Sequence, residues 1–209
     1  MDKKETIKKL SQSIEFFTIH LEDVRKFNRI KNLLENQENF SKYFFLNDIE
    51  TILTISQLDL AVNAKNLINT KKKWEIIFFS KNSYLVIYET INAFTRINKF
   101  LYENTKNHEE LKETFQKCTK ELRNFKNEFE FQTTMNYIRN KTSGHIHEDL
   151  DEYYKIVNNL DAEKTANMIL KFLDLISLFQ QMITSIMSNQ NLTISEELSS
   201  RIKKYFANN

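Results

Sequence analysis

The chain has 209 residues, of which 41% are hydrophobic and 12% aromatic, and it contains one glycine and no proline. This composition excludes a disordered chain, and the shortage of turn-forming residues argues against a fold of many short strands. The net charge of +2 gives no global attraction for nucleic acid, so a polyanion would need a local basic patch. We therefore expect an all-α protein, an antiparallel bundle of about five long helices plus a short C-terminal helix.

The first helix is predicted over roughly residues 4–34, because apolar residues recur there at spacings of three and four. This stripe consists of Ile7, Leu10, Ile14, Phe17, Leu21 and Val24. Asn47 and Glu50 form a capping-box pattern, which predicts a second helix that begins there and runs to about Asn69. A third helix is expected to begin near Lys73.

The remaining helices are indicated by similar signals. Asn107 and Glu110 form a second capping pattern, which opens the fourth helix, and Asp161 is the expected N-cap of a fifth helix that reaches about Ser188. The fifth helix is apolar on more than one side, so we expect it to be central in the bundle rather than reserved for a partner. A short sixth helix fits residues 193–206.

Two features bear on cellular location. Cys118 is the only cysteine, which is typical of a protein in a reducing compartment. The charged opening MDKKETIKKL does not fit a secretory signal, and the most apolar stretch is interrupted by Lys171 and Asp174. We expect a cytoplasmic protein with no membrane association.

The fourth helix changes character along its length. Its apolar stripe is Leu111, Phe115, Cys118, Leu122, Phe125 and Phe129. The same spacing of three and four residues continues onto polar residues, namely Gln132, Asn136, Arg139 and Ser143. Alternatively, the apolar set rotates onto Phe131, Met135 and Ile138 and leaves Arg139 at a boundary. In either case the Arg139 guanidinium needs an anionic or carbonyl partner, such as a ligand phosphate or a neighbouring carboxylate.

The single glycine directly precedes a histidine in the run RNKTSGH. On an ideal helix Arg139 and His145 would lie about 120° apart, so they share a face only if the backbone bends between them. Gly144 is a residue where such a bend costs little. A plain helix C-terminus with a glycine cap is the alternative.

This run resembles the signature of HEPN domains, which is an arginine, a polar residue and a histidine after four to six intervening positions. Five residues intervene here between Arg139 and His145, and Asn140 follows the arginine. The wider run IRNKTSGH is similar to the form found in bacterial HEPN proteins of abortive-infection and toxin type. The resemblance covers roughly residues 74–188 of a single helical domain, with residues 1–70 as an N-terminal helical extension.

The resemblance implies a homodimer in which the motifs of two subunits face each other across a cleft. Many HEPN proteins are metal-independent endoribonucleases that act as toxins or phage-defence effectors, some with an antitoxin protein as partner, whereas others only bind RNA. In such an enzyme His145 would accept the proton of the RNA 2′-hydroxyl and Arg139 would stabilise the developing charge on the phosphate. Asn140 and Lys141 would support them, and neither a metal nor another cofactor is implied.

The residues after the motif leave several alternatives open. His147 is a second candidate for the working histidine, although it lies outside the family spacing. Four carboxylates follow closely, and they would either raise the pKa of a histidine or repel RNA. They are Glu148, Asp149, Asp151 and Glu152.

Two other functions fit the same residues. In a non-catalytic interaction module, Arg139 would be fully buried and paired with a carboxylate such as Glu128 or Glu148. In a metal site, His145 and His147 would bind the ion, with Glu148 or Asp149 supplying oxygen ligands, but no second ligand cluster accompanies them.

Overall fold

The computed structural model describes residues 2–34, 41–143 and 149–188, and every regular element in those ranges is helical. The five long helices are α1 (Lys3–Leu34), α2 (Ser41–Asn69), α3 (Lys73–Thr105), α4 (Glu109–Glu128) and α7 (Ala162–Ser188). Between α4 and α7 lie a π-helical turn, π1 (Phe131–Met135), the short α5 (Asn136–Ile138), a second π-helical turn, π2 (Arg139–Ser143), and α6 (Leu150–Asn158). The predicted all-α bundle is confirmed. The predicted sixth helix lies outside the described residues.

Helix α7 occupies the centre of the bundle, as its sequence predicted. It packs against α2, α3 and α4, and its buried residues belong to the same hydrophobic core as theirs. The ring of Phe179 on α7 stacks on Phe94 of α3 at a centroid distance of 3.9 Å, and Phe172 contacts Phe125 of α4 at 4.9 Å. Within the described ranges α7 is the one helix with the length and composition to cross a membrane, but 44% of its most apolar window is buried in the protein.

The helix boundaries show which capping predictions were right. The carboxylate of Asp161 accepts a hydrogen bond from the backbone N–H of Lys164 at 2.7 Å, so the predicted N-cap of α7 is confirmed. The cap predicted at Asn107 is wrong, because α4 begins after His108 and no side chain caps it.

The capping box predicted at Asn47 and Glu50 is also wrong. Helix α2 begins six residues earlier, and buried apolar side chains such as Phe44 and Leu46 extend its stripe towards the N-terminus. Asn47 is buried inside the helix and donates to Asn28 of α1 at 2.8 Å. Glu50 accepts from Gln180 of α7 at 2.7 Å, so both polar side chains serve tertiary contacts rather than the helix end.

Helix α6 was not predicted, although the sequence contains a signal for it. Asp149 accepts a hydrogen bond from the backbone N–H of Glu152 at 3.0 Å, and this pair has the spacing of a capping box. One end of the acidic run after the motif therefore caps a helix as well as carrying charge.

The backbone turns sharply between α4 and π1. Glu130 has φ 47° and ψ 53°, and it is the one non-glycine residue with positive φ in the described chain. This conformation ends the apolar register of α4 and restarts the helical path at Phe131. The carbonyl of Glu130 accepts from the N–H of Met135 at 3.2 Å, which is the wider hydrogen bond of a π-helical turn.

We expect Glu130→Gly to raise the free energy of unfolding by up to about 1 kcal/mol, because a left-handed backbone costs an L-residue about 1–2 kcal/mol that glycine avoids. Urea denaturation followed by circular dichroism measures the change. The matched control is Gln116→Gly at an exposed position inside α4, which should lose about 1 kcal/mol. A destabilised Glu130→Gly variant would contradict the assignment of strain to this residue.

Candidate functional site

The motif segment, residues 131–143, lies against α3 with a new buried face. Phe131, Met135, Ile138 and Thr142 are buried, and their spacing alternates between four and three residues. This is the rotated apolar stripe that the sequence left as an alternative. The register break at Glu130 therefore decides that Arg139 lies at a boundary rather than in the former seam.

Arg139 is anchored to α3 by an ion pair and a ring contact. Its Nε and Nη2 atoms both donate to Oε1 of Glu89, at 3.2 and 2.7 Å. Its guanidinium carbon lies 5.4 Å from the centroid of the Tyr88 ring, which is a cation–π distance. The side chain keeps 28% of its surface exposed, so the guanidinium is fixed in direction and still reachable from solvent.

The interaction-module alternative predicted a carboxylate partner for Arg139, which the structure contains, but its full burial and its named partners are wrong. Arg139 is not fully buried, and its carboxylate partner is Glu89, fifty positions earlier in the chain. Glu128 is instead paired with Lys171 of α7 at 2.5 Å. Glu148 lies outside the described residues.

Asn140 continues the network on the exposed side of the segment. Its Oδ1 atom accepts from Nη1 of Arg139 at 2.9 Å, and its Nδ2 atom donates to Oδ1 of Asn136 at 2.9 Å. Asn140 therefore contacts the guanidinium through Nη1, whereas Glu89 contacts it through Nε and Nη2, and Asn136 orients the Asn140 amide. The supporting role of Asn140 in an active site stays a prediction.

Lys141 forms its ion pair with α6, whereas Arg139 pairs with Glu89 of α3. Its ammonium lies 3.1 Å from Oε2 of Glu152, and the hydroxyl of Tyr137 donates to Oε1 of the same carboxylate at 2.8 Å. The hydrogen bond to Glu152 raises the pKa of the Tyr137 hydroxyl, and desolvation and the nearby negative charges act in the same direction. Glu152 thus ties α6 to the motif segment.

Both candidate histidines, His145 and His147, lie outside the described residues, as do Gly144 and Glu148. The described chain ends at Ser143 on one side of them and resumes at Asp149, the N-cap of α6. The proposed bend at Gly144 and the convergence of Arg139 with His145 remain predictions.

The arrangement gives two cations, each compensated by a carboxylate of a neighbouring helix. Arg139 pairs with Glu89 of α3 and Lys141 with Glu152 of α6. A phosphate group bound here would have to share or displace these carboxylates. Glu89 and Tyr88 could not have been found from the sequence, because only the packing of the motif segment on α3 brings them to Arg139.

No metal cluster lies within the described residues, where no three side chains of His, Cys, Asp or Glu converge. Cys118 is buried in the core with its sulfur 3.7 Å from the carbonyl oxygen of Leu178, and burial raises the pKa of its thiol to about 12. Cys118 is therefore a small core residue, as its place in the apolar stripe predicted. Asp149, one of the oxygen donors of the metal alternative, caps α6.

No protein-family model, curated protein or solved structure that was compared with the chain matches it. The motif and the contacts of its side chains are therefore the features that bear on function.

We expect Arg139→Ala to lower the free energy of unfolding by only about 0.5–1 kcal/mol, because the ion pair with Glu89 is solvent-accessible on both sides. Urea denaturation measures the change, with Arg25→Ala of the exposed α1 pair to Glu22 as control. A loss above about 3 kcal/mol would instead indicate a buried structural ion pair.

Proposed function

We propose that the chain is a metal-independent endoribonuclease of HEPN type, active as a cytoplasmic homodimer and serving as a toxin or phage-defence effector. The observation that carries the proposal is the run from Arg139 to His145, whose arginine is surface-accessible and oriented by three hydrogen bonds. A guanidinium is the donor type that recognises a phosphodiester, and here a phosphate would compete with Glu89 for the Nε and Nη2 donors.

The proposed reaction needs only groups of the protein and the RNA. His145 accepts the proton of a 2′-hydroxyl, whose oxygen then attacks the adjacent phosphorus while the bond to the 5′-oxygen breaks. The departing 5′-oxygen takes up a proton, which the His145 imidazolium supplies directly or through solvent, so that His145 ends the step neutral and the products are a 2′,3′-cyclic phosphate and a free 5′-hydroxyl. Arg139 stabilises the extra negative charge on the phosphate oxygens during this step, and Lys141 adds positive charge nearby.

Asn140 has a positioning role in this scheme, because it accepts from Nη1 of Arg139 and thereby directs the guanidinium. His147 is retained as an alternative proton acceptor, since both histidines follow the same segment. An antitoxin protein that covers the site would account for control of such a nuclease, and we include one among the proposed partners.

The alternative is a non-catalytic helical module that binds RNA or another protein. The pairing of Arg139 with Glu89 and of Lys141 with Glu152 favours it, because both cations already have anionic partners in the protein. The two proposals differ in what happens to RNA, so a cleavage assay separates them.

We expect Arg139→Ala and His145→Ala each to reduce RNA cleavage by about 100-fold or more, because each removes a group that acts in the transition state. The assay incubates labelled single-stranded RNA with protein in EDTA and identifies the cyclic-phosphate ends. Arg25→Ala on the exposed side of α1 is the control and should cleave like the wild type. Equal cleavage by all the variants would contradict the proposed active site. Cleavage by the wild-type protein that occurs only when EDTA is left out would contradict metal independence.

We expect Glu89→Gln to tighten RNA binding by about 2- to 5-fold, because the carboxylate occupies the two donors of Arg139 that a phosphate would use. Fluorescence anisotropy with a labelled 2′-O-methyl oligonucleotide measures the affinity without cleavage. Glu22→Gln, which removes the carboxylate of the exposed Arg25 pair, is the matched control. Weaker binding by Glu89→Gln would mean that the carboxylate is needed to position Arg139.

A further inference from the structure

A cleft of about 620 Å³ lies on the protein surface between α3, α4 and π1. Its wall combines side chains from all three elements: Thr95 and Asn98 of α3, Arg123 and Lys126 of α4, and Gln132 and Thr133 of π1. Hydroxyl, amide, ammonium and guanidinium groups are the donors that proteins use for phosphate and sugar oxygens. The floor is apolar, since the buried rings of Phe94 and Phe131 close it.

The two cations of this cleft differ from those of the motif. Within the described ranges, neither Arg123 nor Lys126 forms an ion pair with a carboxylate, whereas Arg139 and Lys141 both do. Lys126 is half-buried, with its ammonium 5.1 Å from the centroid of the Phe131 ring, and burial lowers its pKa. A partly desolvated ammonium without a counter-charge is favourably neutralised by a bound anion.

The cleft is connected to the motif by two stacked aromatic rings. Phe131 stacks on Tyr88 of α3 with a centroid distance of 5.0 Å and an interplanar angle of 18°. Lys126 lies on the Phe131 end of this pair and Arg139 on the Tyr88 end, each at a cation–π distance. Along α3, Thr95 follows Tyr88 by seven residues, which is two helical turns or about 10 Å on the same side. The cleft and Arg139 therefore share one surface of α3.

We propose that this cleft is a second RNA-backbone subsite, in which Arg123 and Lys126 bind a phosphodiester of the same single strand whose reacting phosphate is at Arg139. The inference rests on the proposed function, because it takes RNA as the ligand of the Arg139 site. In this arrangement Arg123 and Lys126 provide most of the binding free energy for the RNA strand. Arg139 and Lys141 act on the phosphate that reacts. A strand held in the cleft brings its neighbouring phosphate to Arg139, where it competes with Glu89 at high local concentration.

Glu130 is a negatively charged residue of the same cleft. It lines the cleft and its carboxylate is hydrogen-bonded to the hydroxyl of Thr134. A carboxylate at the rim repels a phosphodiester, so its removal should strengthen binding. The subsite thus has a residue whose loss weakens RNA binding and one whose loss strengthens it.

The test measures binding of the labelled 2′-O-methyl oligonucleotide to the full chain by fluorescence anisotropy over a range of salt concentrations. We expect the double variant Arg123→Ala/Lys126→Ala to bind at least about 10-fold more weakly, with a salt slope reduced by about 0.7 for each lost phosphate contact. Arg123→Lys/Lys126→Arg should retain affinity and Glu130→Gln should bind more tightly. The charge-matched control, Arg25→Ala/Lys26→Ala, removes two exposed cations of α1, which does not line the cleft, and should bind like the wild type.

The outcomes separate this inference from the proposed nuclease. If the wild type cleaves RNA but the cleft double variant binds and cleaves as its control does, the subsite is overturned and the nuclease stands. If binding depends on Arg123 and Lys126 while RNA remains intact, the subsite is supported and the catalytic proposal fails. If inorganic phosphate stabilises the protein through Arg123 while oligonucleotide affinity is unchanged in the double variant, the cleft binds small anions and the RNA subsite is overturned.

Discussion

The left-handed backbone at Glu130 determines which side chains of the motif face the protein and which face solvent. A straight continuation of α4 would have carried Gln132 and Arg139 along the seam occupied by Phe125 and Phe129. The turn at Glu130 starts a new register, in which Phe131, Met135, Ile138 and Thr142 are buried. Burial of these apolar groups stabilises the segment on α3, and a rotation of the helix that returned Arg139 to the interior would expose them. The orientation of the polar groups is therefore a consequence of hydrophobic packing.

Charge compensation is the second constraint on this surface. Helices α3 and α6 each present one carboxylate to the motif segment, so Arg139 and Lys141 are neutralised where they lie, while Arg123 and Lys126 in the neighbouring cleft are not. Exposed ion pairs contribute little to stability, so Glu89 and Glu152 act mainly on direction and local potential. The uncompensated positive charge of this surface therefore lies in the cleft rather than at the motif.

The proposed nuclease and the proposed subsite place different demands on the protein. Catalysis needs groups held in a fixed orientation, and the three hydrogen bonds of Arg139 fix the direction of its guanidinium. Binding of a flexible strand needs spaced positive charge and tolerant polar donors, which the cleft supplies from three helical elements. The stacked rings of Tyr88 and Phe131 lie between the two sets of groups, because Arg139 contacts Tyr88 and Lys126 contacts Phe131.

Composition and periodicity by themselves determined the all-α class, the five long helices, the central place of α7, the N-cap at Asp161 and the core role of Cys118. These features follow from local preferences and from apolar stripes, which a sequence displays directly. The sequence also predicted Arg139 and Asn140 as site residues, which stays a prediction, and it did not show which residues they contact. Tertiary structure alone decided that Arg139 contacts Glu89 and Tyr88. It also decided that Asn47 forms a hydrogen bond with α1 instead of capping α2. The cleft that Arg123 and Lys126 share with Asn98 likewise depends on helix packing. These contacts join residues far apart in the chain, and their geometry depends on how helices pack and on one backbone turn at Glu130, for which the sequence carries no glycine or proline to mark the position.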